Sequence, residues 1–171
     1  MNCTNPSFLL WIVFANITLM VVVASGLSHQ WIYISLNNEF AEMQGLYFRC
    51  TPDHECFDIQ PISDWRFVAL ILNSSIQAIL ASLALIQILS LCYEEFQLPR
   101  VCAFFYAIAA ILAIGIIIIF PWKVVKLGLE MNGHKFTWLS WSFYIFIIGA
   151  FLLVAMTIEC FLIDPNKYPE L

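Results

Sequence analysis

Charge is scarce in this chain. Of its 171 residues only 11% are charged, against roughly 25% in ordinary soluble domains, so the soluble globular class is the first to go. Basic runs are missing too. The net charge of −5 is spread over loops and ends, which leaves no cationic stripe for nucleic acid or anionic lipid, and no nucleic-acid partner is expected. No ionisable residue falls at the middle of an apolar run, so a transport path lined by buried charge is not expected. Glu159 comes closest, about a turn from the end of its run, where a carboxylate can snorkel to water. Residues able to serve as nucleophile, base and oxyanion donor cannot be grouped; no enzyme and no cofactor are expected. His29, His54 and His134 lack the spacing of a zinc site with Cys50, Cys56 or Glu130, so no metal is expected either.

What the chain does have is hydrocarbon. Hydrophobic residues fill 62% of it, and they are blocked into four runs of the roughly 20 residues that a bilayer crossing needs. The runs are 8–27, 67–91, 101–120 and 139–163. In lipid the backbone must satisfy its own hydrogen bonds, so each run is read as a helix. The fold class expected is all-α, a four-transmembrane-helix up-down bundle forming a single membrane domain over 1–171. Its outer loops are 28–64 and 121–138, its inner loop is 92–100 and its tail is 164–171. The first run resembles a signal peptide only at Val23–Leu27. It lacks a basic n-region and exceeds the usual apolar length, so it is expected to stay as a helix.

Orientation rests on two opposed signals. With both termini cytoplasmic, the inner side holds Arg100 and Lys167, while Arg49, Arg66, Lys123, Lys126 and Lys135 lie outside, against the positive-inside tendency. Cysteine points the other way. In "GLYFRCTPDHEC", Pro52 and Asp53 favour a reversal between Cys50 and Cys56, and "GLYFR" and "FDI" suit short strands. A hairpin brings the two sulfurs within bridging distance, and a persistent bridge needs an oxidising compartment; the alternative is two free thiols in a cytosolic loop. The bridge is preferred, which places 28–64 outside and both termini in the cytoplasm of a multi-pass plasma-membrane protein. Cys3, Cys92, Cys102 and Cys160 then fall at the inner boundary, as candidate palmitoylation sites or as small apolar residues at helix ends. The sequons at Asn2, Asn16 and Asn73 avoid the outer loops, so no N-glycan is expected.

These landmarks resemble a family. A tryptophan after the first helix (Trp31), then Gly45, Leu46 and an aromatic (Tyr47), then Cys50 and Cys56, is similar to the W, GLW and C…C pattern of the claudin superfamily. Tyr47 departs from it by standing where the family has tryptophan. Arg66, at the mouth of the second helix, matches a usual family arginine. "WSF" at Trp141–Phe143 is similar to the fourth-helix entry of the lens fibre membrane intrinsic protein branch. The six-position cysteine spacing is closer to that branch, which sits beside the peripheral myelin and epithelial membrane proteins, than to typical claudins. A weaker likeness runs to the transmembrane protein 225 group through "NSSI" and "IEC". The resemblance implies a small extracellular sheet of antiparallel strands, held by the disulfide, on a left-handed four-helix bundle. Trp31 would cover the root of that sheet, and Arg66 would bond strand carbonyls or pair with Asp64 or Asp58.

Within the bundle, Ser74, Ala78 and Ser82 repeat at four-residue spacing, as do Ala103 with Ala107 and Ala109 with Ala113, and are read as packing faces. Asn16, Asn73 and Gln77 are the mid-run polar residues, with a hydrogen bond from Asn16 to Gln77 expected. Lys126, Glu130 and His134 lie at i, i+4 and i+8, which predicts an outward extension of the third helix with a polar face.

The expected role is cell–cell contact or membrane organisation through the outer sheet, with Phe40, Met43 and Phe48 as contacts. The other role is an auxiliary subunit of a channel, receptor or transporter docked through the small-residue faces. Partners are therefore the lipid bilayer and other membrane proteins. The tail "DPNKYPEL" carries Pro169 where the family's PDZ-binding ending would have Ser, Thr or an apolar residue, which weighs against a tight-junction role.

Overall fold

Four helices follow from the apolar runs. The computed structural model describes residues 6–28, 30–36, 39–51, 55–58, 64–90, 98–130 and 135–162. The helices are α1 (Pro6–Leu27), α2 (Asp64–Ser90), α3 (Leu98–Glu130) and α4 (Trp141–Leu162). Three contain stretches long and apolar enough to cross a membrane, Trp65–Gln87, Arg100–Val124 and Trp141–Leu162, and α1 adds the shorter apolar stretch Ile12–Leu27. This is the make-up of a membrane protein.

Polar side chains inside these helices mostly bond their own backbone, as an apolar surround demands. Thr18 Oγ1 donates to Phe14 O at 3.0 Å, Ser25 Oγ to Val21 O at 2.7 Å, Ser82 Oγ to Ala78 O at 2.8 Å and Thr157 Oγ1 to Leu153 O at 2.8 Å. The helices close a ring in which each touches its two neighbours, with α3 against α4 the broadest contact and α1 against α2 the narrowest. At one point α4 meets α1 so closely that a Cβ on Gly149 would stand 2.8 Å from Val22 Cγ2.

The small-residue stripes divide. Ala103, Ala109 and Ala113 are buried as expected of a packing face, whereas Ser74, Ala78 and Ser82 are exposed. The reason is their phase. Ala69, Asn73, Ile76, Leu80, Leu83 and Gln87 occupy the buried side of α2, and the Ser74 stripe is rotated away from it.

A five-stranded sheet, all antiparallel, caps one end. It is built from β1 (Ile32–Leu36), β2 (Glu39–Gln44), β3 (Phe48–Cys50), β4 (Cys56–Asp58) and β5 (Lys135–Leu139), in the order β4-β3-β2-β1-β5. The strands β3 and β4 overlap "GLYFR" and "FDI" and carry the two cysteines themselves. A bulge between Ile34 and Ser35 shifts the β1–β2 register. β5 is the strand the sequence did not announce: Leu139, expected to open the fourth helix, pairs with Ile32 instead, and the helix starts two residues later. The helix α3 does extend past the expected end at Phe120, through Pro121 to Glu130, at the cost of the backbone bond that proline cannot donate; the side chains of its expected polar face lie outside the described residues.

Candidate functional site

The junction of sheet and bundle gathers the residues that the sequence singled out. Trp31 is its centre. The residue precedes β1, and its backbone ties three segments: its N–H donates to Gln44 O at 3.0 Å, and its carbonyl accepts from Ser140 N at 2.9 Å. Its side chain is fully buried. The indole lies 4.9 Å from the ring of Phe120, 5.0 Å from Phe146 and 5.5 Å from Phe143, within the range where aromatic pairs gain beyond burial. Its Nε1–H donates to Ser25 O at 2.6 Å, a carbonyl of the last turn of α1 that otherwise accepts only the longer bond from Ser28 N at 3.3 Å. Expected to cover the root of the sheet, Trp31 is there, enclosed in the core of the bundle.

Gly45, Leu46 and Tyr47 form the turn between β2 and β3, closed by Gly45 N donating to Phe48 O at 2.8 Å. Leu46 is fully buried. The Tyr47 hydroxyl lies 3.2 Å from Ser74 Oγ and accepts from Asn73 Nδ2 at 3.3 Å. Asn73 also donates to Gly26 O at 3.4 Å, so one buried amide links α2, the end of α1 and the sheet. Its Oδ1 has no conventional donor. A Cβ added to Gly26 would stand 2.7 Å from it, so the bare glycine is what leaves room for this amide between the helices.

Arg66 is 8% exposed. The expected partners were strand carbonyls, Asp64 or Asp58; the Asp64 side chain lies outside the described residues, and among those described Nη2 donates to Gln44 Oε1 at 2.8 Å, with the guanidinium 5.2 Å from the centre of the Trp65 ring. Gln44 Nε2 in turn donates to Glu42 Oε1, so the amide passes the cation's influence on to a carboxylate. The reason is reach. Gln44 ends β2 directly above the first turn of α2, while Asp58 sits two strands farther out.

Cys50 and Cys56 are disulfide-bonded, with Cα atoms 4.1 Å apart. They are direct cross-strand partners, and Thr51 N donating to Glu55 O at 2.9 Å continues the ladder toward the tip.

Other expected contacts fall elsewhere. Asn16 does not meet Gln77: it is exposed and donates to Ile12 O at 2.8 Å within its own helix, and Gln77 Nε2 is buried with no hydrogen-bond partner. Cys102 and Cys160 are buried in the bundle, which makes them small apolar side chains of the helix ends rather than thiols open to acylation. Cys3, Cys92, His29, His54 and His134 lie outside the described residues. Two side chains that the sequence reading passed over make a buried link at this same end: Gln87 Nε2 donates to Tyr106 Oη at 2.8 Å, joining α2 to α3. A second glutamine in the apolar run 67–91 was the available signal, since a buried amide must find a partner in lipid. Gly26 carried no such signal, because a close approach is invisible until both helices are placed.

No family model matches the chain, and no curated protein matches it.

Proposed function

We propose that the chain is a non-enzymatic, multi-pass plasma-membrane protein of the claudin type. Its four helices form an up-down bundle with both termini in the cytoplasm, and its extracellular sheet acts in cell–cell contact or membrane organisation. The observation that carries the reading is the way the sheet is held. Trp31, Leu46, Tyr47 and Arg66, the residues on which the resemblance rests, all lie in the contact between sheet and helices. A sheet so fixed keeps its other face in one attitude, which suits a contact surface better than a flexible loop. The Cys50–Cys56 bridge supports placing that face outside the cell, where disulfides persist.

That outer face has a definite make-up. Trp138 is opposite Tyr33, and Tyr33 is opposite Met43, so all three share one side of the sheet. Tyr33 and Trp138 stack at 6.3 Å and 14°, and Trp138 is 58% exposed. Aromatic and methionine side chains are enriched at protein contacts.

A second reading is favoured by one observation. Ser74, Ala78 and Ser82 form an exposed small-residue stripe on α2, the kind of surface by which membrane helices approach one another, and it suits an auxiliary subunit of a channel, receptor or transporter. The two readings separate in one experiment. Tagged chain is expressed in confluent cells, imaged at cell borders, then purified in mild detergent and its partners identified by mass spectrometry. Enrichment at borders with self-association supports the contact role. Even distribution with a stoichiometric channel or receptor would sink it in favour of the subunit role.

A further inference from the structure

Two exposed side chains of the sheet take no part in tying it to the helices. Arg49 of β3 and Phe57 of β4 are cross-strand partners, and Arg49 is also opposite Gln44 of β2. Gln44 is opposite Ile32, and Ile32 is opposite Leu139. Directly opposed residues of antiparallel strands point to the same face, so the five form one row. Three of them meet the bundle: Ile32 is in its core, Leu139 packs on that core, and Gln44 holds Arg66. Arg49 and Phe57 continue the row past the helices, and both are exposed, Phe57 by 47%.

The height of this row is fixed twice. Arg66 is the second residue of the apolar stretch Trp65–Gln87, and it bonds Gln44. By the other route, Gln44 O accepts from Trp31 N, Trp31 O accepts from Ser140 N, and the next residue, Trp141, opens the apolar stretch Trp141–Leu162. The row is therefore level with the ends of two stretches. Trp122 and Trp141, 72% and 56% exposed, stand near those ends, and exposed indoles favour the headgroup layer of a bilayer.

We propose that Arg49 and Phe57 rest on the bilayer itself: the guanidinium binds a phospholipid phosphate, and the phenyl ring inserts at the boundary between headgroups and acyl chains. The assignment rests on the reading that these helices cross a membrane. A guanidinium matches the planar, two-toothed geometry of a phosphate, and an aromatic ring beside it supplies the apolar contact that such an interface rewards. Lipid is preferred to a second copy adding to the sheet, because β4 is three residues long and offers little ladder to extend. The hairpin then acts as an outrigger. It props the free side of the sheet on the membrane, so that the Tyr33 and Trp138 face is held from both ends.

The test is lipid photocrosslinking of the full chain in phosphatidylcholine nanodiscs. One variant carries Phe57→p-benzoylphenylalanine; a second carries the same probe at Phe151, 71% exposed on α4, to report on the bilayer itself. Irradiation is expected to add one phospholipid mass to both variants. Arg49→Glu should lower the adduct at position 57 at least threefold and leave that at 151 unchanged. The proposal is overturned if the probe at 57 stays unmodified, or couples to a second copy, while the probe at 151 takes lipid. If neither probe takes lipid, the membrane reading itself falls and the outrigger with it.

Discussion

The indole of Trp31 meets the ring of Phe120 edge-on, with centroids 4.9 Å apart and planes at 73°. One side chain thus joins the start of the sheet to α3, while its N–H bonds the end of α1. Replacing Trp31 by alanine removes both at once. Burial and cavity terms for a large aromatic give a loss of about 3–5 kcal/mol. Trp31→Phe keeps most of the ring contact but loses the indole bond, leaving Ser25 O with only the longer bond from Ser28 N at 3.3 Å, for about 0.5–1.5 kcal/mol. Thermal unfolding in detergent is expected to rank the variants wild type, Phe, Ala. An alanine variant as stable as wild type would show that the sheet does not depend on this contact.

Gly26 and Asn73 predict a coupled pair. A methyl group at position 26 would stand 2.7 Å from Asn73 Oδ1, so Gly26→Ala must push the amide off Tyr47 and α1 off α2. Overpacking of this kind costs roughly 1–3 kcal/mol. In an Asn73→Ala background the obstacle is gone, and Gly26→Ala should then cost only a few tenths of a kcal/mol, a coupling that separate sites would not show. Equal costs in both backgrounds, measured by denaturation in mixed micelles, would refute the close approach.

How far these contacts were legible in the sequence depended on how local they were. Apolar runs marked all four helices, because a 3.6-residue helix in lipid needs no partner to be recognised. The hairpin at Cys50 and Cys56 was legible for the same reason, its cysteines standing six positions apart around the turn formers Pro52 and Asp53. Strand β5 was not, since "KFTWL" runs straight into the apolar fourth helix and pairs only with a strand a hundred residues earlier. The polar contacts were harder still. Asn16 and Gln77 lie at matching depths, yet depth does not fix rotation, and Asn16 faces outward. Tyr47 was read as a departure from a tryptophan pattern. Its hydroxyl bonds both Ser74 and Asn73, and an indole, which only donates, could not accept from the Asn73 amide. The departure is matched by its surroundings.

Arg66 predicts an asymmetry between conservative changes. Its cation is nearly buried and bonds Gln44, which in turn bonds the Glu42 carboxylate. Gln44→Met keeps the volume and removes the acceptor, leaving a desolvated guanidinium at a cost of about 1–3 kcal/mol. Arg66→Lys keeps the charge but loses the planar fork that spans Gln44 and the Trp65 face. Arg66→Met removes both the charge and its need for a partner, and replacing a buried ion by an apolar side chain is often neutral. Stability is therefore expected to fall further for Gln44→Met than for Arg66→Met. The reverse order in thermal unfolding would mean that the guanidinium is hydrated.

The disulfide separates two levels of stability in one molecule. It closes a short loop in β3 and β4, strands of three residues each, too short to hold together by ladder bonds alone. Constraining a loop of this size is worth about 2 kcal/mol, which is large for a hairpin and small for four apolar helices. Cys50→Ser is thus expected to raise amide exchange at Phe48–Cys50 and Cys56–Asp58 by one to two orders of magnitude, and to leave the centres of α2, α3 and α4 protected. Because β2 pairs with β3 only at Met43 and Gln44, exchange should also rise at those two residues, where Gln44 holds Arg66. Delivery to the cell surface should fall with it, since quality control reads exposed strand edges. Protected β3 and β4 amides in Cys50→Ser would show that the ladder holds the hairpin unaided. Unchanged delivery alongside a melted hairpin would remove the link between the sheet and the proposed contact role.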